Sequence, residues 1–419
     1  MRVIKKVTAL TIIAALSIIV NLFGQTDAVI EIPDKKFKQA LIELGIDKNQ
    51  DKKITCKEVE GIKTLDVSNK KIKDLTGIEK FINLKELKCS SNELTKLYVS
   101  KNRNLRNLVC FNNKLTNIDV SNNKELESLY CSENKLSYLD VSKNKILMMI
   151  ICYNNRLTSL DISNNSILMF VDCSSNELTK LAVSSNFNLE KLDCSKNRLS
   201  FIDVSKNRNL RNLNCYNNRL TNIDVSNNKE LEGLYCSENK LSYLDVSKNK
   251  KLEGLSCSKN KISSLDISKN LNLIHLSCGN KELTSIDISK HKELENFICT
   301  ESKIAALDVS QNLKLKNLFF HKNKLTKIDV SNNKELETLG FAENKLSFID
   351  VSKNLKLKKL NCANNRLVSL DVSNNTELKK LYCIEDKEKK ELKEVIVRDA
   401  KNIPKDFKKS KHTKWVAKK

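Results

Sequence analysis

One 21-residue phrase is written over and over between residues 84 and 383, which limits the chain to architectures that stack equivalent units. A clean copy runs Leu126-Glu127-Ser128-Leu129-Tyr130-Cys131-Ser132-Glu133-Asn134-Lys135-Leu136-Ser137-Tyr138-Leu139-Asp140-Val141-Ser142-Lys143-Asn144-Lys145-Ile146. One slot of the phrase holds Cys89, Cys110, Cys131, Cys152, Cys173, Cys194, Cys215, Cys236, Cys257, Cys278, Cys299, Cys362 and Cys383, each at 89 plus a multiple of 21. Phe320 and Phe341 fill the two vacant slots, so 15 positions span 14 periods without an insertion or deletion. A fixed period of this length predicts a solenoid, in which length reports the number of coils and not of domains. About 15 to 17 coils are expected.

Numbered from each Cys, the aliphatic positions are −5, −2, +5, +8 and +10, as in Leu126, Leu129, Leu136, Leu139 and Val141. None can bury its side chain alone, so stacking in register must supply the stability. Residues −3 to +1 alternate and predict a parallel strand in each coil. The Asn at +3, as in Asn92, Asn113 and Asn134, is missing only at Lys281, Ser302 and Asp386. Its amide is expected to turn inward and satisfy backbone groups of neighbouring coils. Asp at +9, Ser at +11 and Asn at +13 suggest a turn network on the convex side, with a cation-binding ridge as the alternative.

The ladder residues are small, slightly polar and flanked by aliphatics, which suits a buried interior turn. Stacked neighbours would lie about 5 Å apart with parallel Cβ directions, so free thiols are expected and not disulfides. Phe in the same slot supports packing over pairing.

These residues resemble the leucine-rich repeat, L-x-x-L-x-L/C-x-x-N-x-L, and more narrowly its 21-residue bacterial class with a cysteine ladder, found among internalin-like surface proteins. The resemblance covers residues 62–383. It implies a leucine-rich-repeat solenoid, a strand-dominated α/β superfold whose curved parallel β-sheet is built from 21-residue coils. It also implies adhesion to host or neighbouring-cell surfaces without catalytic residues. No LPXTG-type wall signal and no lipid-anchor Cys accompanies it, so covalent attachment to a surface is not expected.

The flanks divide the chain further. Residues 1–28 carry Arg2, Lys5 and Lys6, then an apolar run, then the small residues of Thr26-Asp27-Ala28, the pattern of a cleaved secretory signal. An uncleaved membrane anchor is the alternative, since the run is about 17 residues. Cleavage would leave a secreted or surface-held protein with no membrane span. Residues 29–61 form a helical N-terminal cap. In it Asp47, Asn49, Asp51, Lys53 (through its carbonyl), Thr55 and Glu58 fall at positions 1, 3, 5, 7, 9 and 12 of an EF-hand loop, an arrangement of oxygens that suits a structural calcium. Lys52 stands where such loops carry Gly. The plainer reading is a helix–loop–helix with Thr55 and Glu58 as a capping box. Residues 384–419 are expected to make a degenerate C-terminal cap, with Leu392, Val395 and Val397 in a last coil. Pro404, Phe407 and Trp415 would fold over the open end, and residues 408–419 would trail as a basic tail.

The formal charge is +23, yet Lys alternates with Glu and Asp, so solvated turns explain it better than an anionic partner. The strand positions −3, −1, +1 and +2 are the ones that vary. Val109, Phe111, Tyr130, Met149, Ile151, Tyr153 and Phe170 cluster there, followed by Tyr216 and Tyr235. Exposed aromatics and Met on a rigid concave sheet point to a protein ligand, on another cell's surface, with a glycan as the rival. Nucleic acid is disfavoured by export, a monomer is expected, and no cofactor beyond the structural calcium is implied. The four histidines, His275, His291, His321 and His412, form no catalytic grouping in the sequence. The chain reads as a binding protein and not an enzyme.

Overall fold

The computed structural model describes residues 28–385 and 391–418, which fall into two compact units, one ending at Leu181 and the other beginning at Ala182. The signal segment lies outside the described residues except for Ala28.

In the first unit, helix α1 (Lys35–Glu43) is opened by Asp34, whose Oδ1 accepts the N–H groups of Lys36 and Phe37. It buries Phe37, Ala40 and Leu41. Helix α2 (Cys56–Glu60) starts at a complete Thr55–Glu58 capping box. Six parallel strands follow: β1 (Thr64–Asp66), β2 (Glu86–Lys88), β3 (Asn107–Val109), β4 (Ser128–Tyr130), β5 (Met149–Ile151) and β6 (Phe170–Asp172). The register aligns Leu65 with Leu87, then Leu108, Leu129, Ile150 and Val171, so each −2 residue stacks on the last and is buried.

The second unit continues the pattern with β7 (Lys191–Asp193), β8 (Asn212–Asn214), β9 (Gly233–Tyr235), β10 (Gly254–Ser256), β11 (His275–Ser277), β12 (Asn296–Ile298), β13 (Asn317–Phe319), β14 (Thr338–Gly340), β15 (Lys359–Asn361) and β17 (Lys380–Cys383). On the opposite side of the last coils, β16 (Ser369–Asp371) begins a second, three-stranded parallel sheet. The C-terminal residues complete both layers. Strand β18 (Glu394–Val397) pairs with β16, β19 (Phe407–Lys409) pairs with β17, and β20 (Lys414–Ala417) pairs with β18. This corrects the expected lid and solvated basic tail. The edge backbone of β17 and β18 needs partners whatever the side chains. Residues 407–417 supply them, while Phe407 and Trp415 approach at 6.1 Å between ring centroids.

Two columns of buried amides hold the coils in register. At +3, Asn134 Nδ2 donates to the carbonyls of Cys110 (3.0 Å), Cys131 (3.2 Å) and Ser132 (3.1 Å), while its Oδ1 accepts the Leu115 N–H at 2.9 Å. Just before it, Glu133 adopts φ 53°, and the same left-handed turn recurs at +2 from Ser91 onward. At +13, Asn123 Nδ2 donates to the carbonyls of Val99 (3.0 Å) and Asn102 (2.7 Å). This second column is fully buried, which corrects the expectation that it joins a network on the convex surface. The coil's second turn points two carbonyls inward, and an inward amide is the shortest polar group that reaches both. His291 takes one place in the column, with Nε2 3.1 Å from the Ile267 carbonyl. The Asp at +9 does make the surface turn: Asp119 Oδ1 accepts the Ser121 N–H at 2.9 Å.

Removing one inward amide should cost far more than its surface neighbours. Asn123→Ala, which leaves two buried carbonyls without their donor, is expected to lower unfolding free energy by about 2–3 kcal/mol, whereas Lys124→Ala should change it by less than about 0.5 kcal/mol. Urea unfolding followed by circular dichroism measures both.

Acid should weaken the surface turns together. Hydrogen bonds from the hydroxyl and N–H of Ser121, Ser142 and Ser226 hold the carboxyls of Asp119, Asp140 and Asp224 below their ordinary range. A lowered folded-state value means stability that is present above the unfolded value of about 3.9 and lost as pH falls through the folded values. The urea midpoint should be level between about pH 7 and 5 and fall below about pH 4; a level midpoint down to about pH 2 would contradict the assignment.

Candidate functional site

Strands of three residues leave one buried side chain between two that face outward, so each coil contributes −3 and −1 to one surface, and the turn adds +1. Strand pairing puts equivalent positions in rows. In the first unit the −1 row reads Lys88, Val109, Tyr130, Ile151, Asp172, and the −3 row ends Ser128, Met149, Phe170. Val109, Tyr130, Met149, Ile151 and Phe170 are each half-buried, as are Phe111 and Tyr153 at +1. The seven positions expected here thus share one strand face. Tyr130 donates its hydroxyl to Met149 Sδ at 2.9 Å, and Tyr153 donates to Glu133 Oε1 at 2.9 Å. These contacts fix both rings against the sheet with one flank outward.

Tyr216 and Tyr235 lie in the second unit on different terms. Tyr235 is 41% exposed and lies over glycine: a Cβ on Gly254 would stand 3.1 Å from its hydroxyl oxygen. Beyond it the −1 row reads Ser256, Ser277, Ile298 and Phe319, and polar side chains are bonded laterally, with Ser237 to Ser256 at 2.7 Å, Ser258 to Ser277 at 2.8 Å, Asn296 to His275 at 2.8 Å and Asn317 to Asn296 at 2.6 Å. His275 and His321 stand two coils apart on this surface, and His291 is buried in the amide column.

Some basic residues pair from coil to coil: Arg106 meets Glu127 at 3.1 Å in the first unit, and in the second Lys251 meets Glu230 at 2.5 Å and Lys316 meets Glu295 at 2.9 Å, each 21 residues apart. Such exposed pairs contribute about 0–1 kcal/mol each.

Sequence reasoning missed a set of aromatics off the strand face. At +7, Tyr138 in the first unit and Phe201, Tyr243 and Phe348 in the second are 63–68% exposed, more than any residue of the expected ligand face. The signal was available, since +7 lies outside the five aliphatic positions and an aromatic there has no core to enter.

In the cap, Asp47 is buried, its Oδ2 accepts the Lys52 N–H at 2.9 Å, and Glu58 takes the N–H groups of Lys48 and Thr55, both at 2.9 Å. Asn49 and Asp51 make local turns to the N–H groups of Asp51 and Lys53. Among the described residues, no three His, Cys, Asp or Glu side chains are gathered tightly enough to hold a metal by themselves. No described helix is long and apolar enough to cross a membrane.

No protein-family model matches the chain, and no curated protein does. Solved structures do. The functional domain of InlJ from Listeria monocytogenes, which includes a cysteine ladder, is 32% identical over 90% of this chain and 78% of that one, with a TM-score of 0.69. An internalin, InlF, from the same organism is 22% identical over 76% and 96% of the two chains, with a TM-score of 0.68. The plant peptide hormone receptor RGFR1, in complex with RGF2, is 22% identical over 78% and 64%, with a TM-score of 0.65. The last two likenesses are of fold.

The ladder cysteines here are buried, and only Cys56 is partly exposed. Burial pushes Cys89 and Cys236 up to about 12 and holds Cys110, Cys131 and Cys152 well above the ordinary thiol range. A buried thiol held that high favours its protonated form at neutral pH, which lowers its reactivity as a nucleophile. A thiol reagent such as Ellman's should therefore modify Cys56 in the native chain and leave the ladder silent, then react with all 14 cysteines in denaturant. Rapid native reaction of more than one or two thiols would show that the ladder opens.

Proposed function

The chain belongs to the internalin-like family of cysteine-ladder leucine-rich-repeat proteins, and from that premise we propose that it is an exported recognition protein that binds a protein ligand on another cell's surface through its strand face. Leucine-rich-repeat proteins of this build recognise other proteins, and the neighbours are of that recognition type. The observation that carries the reading to particular residues is the apolar field of the first unit. Val109, Tyr130 and Ile151 run in one row, Met149 and Phe170 in the next, each half-buried and held by strand pairing. Rigid aromatics lose little conformational freedom on contact, the flexible Met149 adapts to the partner's shape, and a contiguous apolar patch framed by polar residues is what a protein partner desolvates. Export rests on residues 1–28, whose charged start, apolar run and small-residue end read as a secretory signal.

A second reading has its own observation. In the second unit Tyr235 offers a flat exposed ring beside hydroxyls and amides already joined laterally, a combination that suits a sugar ring and its hydroxyls. The glycan reading therefore concerns β9 to β12, and the protein reading β3 to β6.

Binding of the labelled chain, lacking residues 1–28, to intact target cells separates them. The protein reading expects binding that disappears after surface proteolysis, survives glycosidase treatment, and changes little between about 0.1 and 0.5 M salt. The pair Tyr130→Ala and Tyr153→Ala should weaken it by about tenfold or more with the melting temperature shifted only slightly. Binding that resists protease and is lost with glycosidase or on Tyr235→Ala supports the glycan reading instead, and unchanged binding in the Tyr130/Tyr153 variant removes the first-unit assignment.

A further inference from the structure

We propose that the loop of residues 47–58 binds one calcium ion, which fixes the N-terminal cap. The spacing supplies oxygens from Asp47, Asn49, Asp51, the Lys53 carbonyl, Thr55 and Glu58, at the alternate positions a hard cation of this radius needs. Spacing alone would make this only a cluster of acidic residues. The structure adds an unpartnered buried oxygen. Asp47 is 7% exposed, and its Oδ1 is buried without a partner. The other atoms in that state are amide oxygens of the +13 column and one His291 nitrogen, so Asp47 Oδ1 is the one carboxylate oxygen so placed among the described residues. A neutral carbonyl tolerates such a place at modest cost, but a buried carboxylate oxygen calls for a donor or a cation.

The loop around it keeps the sharp turn that such a site needs. Lys52 adopts φ 62° at the position where Gly is expected, so the turn forms despite the side chain and at a cost in backbone strain. Its N–H donates to Asp47 Oδ2, which orients the other oxygen away from that bond. The floor of the loop is tied to the chain's start: Ile30 N–H donates to the Ile54 carbonyl at 2.7 Å, and Cys56 N–H to the Ala28 carbonyl at 2.9 Å. Glu58, which closes the loop, is held in place by the N–H groups of Lys48 and Thr55 and by the Thr55 hydroxyl, all donating to its carboxylate. The three carboxylates stand apart and must draw together on the ion, and exposed Lys48, Lys52 and Lys53 oppose its charge. Both features place the affinity at the weak end, on the order of 10⁻⁴–10⁻³ M, the range of extracellular calcium modules. Magnesium, which demands near-ideal octahedral geometry and keeps its waters, fits this set of carbonyl, amide and carboxylate oxygens poorly.

The test is calorimetric titration of the chain lacking residues 1–27, which keeps the Ala28 carbonyl, with calcium chloride, with magnesium chloride run beside it, and a melting curve in each salt. One calcium per chain, a melting temperature that rises with calcium and not with magnesium, and a roughly tenfold weaker site in Asp51→Asn support the proposal. Asp51 is exposed, so that substitution leaves the fold intact; circular dichroism checks it. Lys52→Gly removes both strain and an opposing charge and should tighten binding several-fold. Absence of calcium binding at about 10 mM overturns the proposal, as does calcium binding that Asp51→Asn and Lys52→Gly both leave unchanged.

Discussion

The structure depends on the inward amide at +3. A coil of 21 residues has to reverse direction within a few residues of its strand, and the reversal strands carbonyls and N–H groups inside the stack. One Asn side chain answers several of them at once: Asn239 donates to the carbonyls of Cys215 and Cys236 and accepts the N–H of Leu220, so it joins its own coil to the one beneath. An insertion of one residue would carry the amide away from the carbonyl below and leave buried groups unpaired on two coils. That is the physical reason the period holds over 14 repeats.

The exception shows how strict the requirement is. After Cys278 the amide is missing from +3, where Lys281 stands, and Asn280 acts from +2. Asn280 Nδ2 still reaches the Cys257 and Cys278 carbonyls at 3.2 and 2.9 Å, and its Oδ1 accepts the Asn260 N–H at 2.7 Å. In the next coil Ser302 Oγ accepts the Asn280 N–H at 3.0 Å, a hydroxyl standing in for the amide. The shift draws backbones together: a Cβ on Gly279 would lie 2.1 Å from the Thr300 carbonyl oxygen, so only glycine can stand there. The amide moved by one residue, the backbone adjusted, and the 21-residue spacing of Cys278 and Cys299 was kept.

Whatever obeys the period was legible in the sequence: the aliphatic core, the +3 amides, the buried cysteines and the members of the strand face. The +13 column was misplaced because an Asn near a turn looks alike whether it faces water or the carbonyls of the coil below; only the stack decides. The last two coils were illegible for a related reason. Residues 407–417 lack the phrase, and what makes them strands is the unpaired edge of β17 and β18, a tertiary demand with no local pattern. The conformation of Lys52 was hidden too, since the sequence marks the departure from Gly but not whether the turn survives it.

Within the chain, residues 99–145 and 204–250 are nearly the same text, offset by 105, which turns the two units into an internal comparison. The scaffold was copied with its contacts: Arg106–Glu127 returns as Arg211–Glu232, and exposed Tyr138 as exposed Tyr243. The strand face was not. Tyr130 and Tyr235 are equivalent, yet the first bonds Met149 and the second lies over Gly254, the residue at Met149's place. Beyond the copied stretch the same offset pairs Ile151 with Ser256, Tyr153 with Ser258 and Phe170 with His275. Each change puts a smaller or more polar side chain on the outward row, while the −2 positions stay aliphatic, Ile150 and Val171 answering to Leu255 and Leu276, and the +3 amide is lost only where Lys281 answers to Asn176. On a largely shared frame the outward rows therefore differ: β3 to β6 carry a contiguous apolar field, whereas β9 to β11 carry Gly233, Gly254, Ser256, His275 and Ser277 around Tyr235.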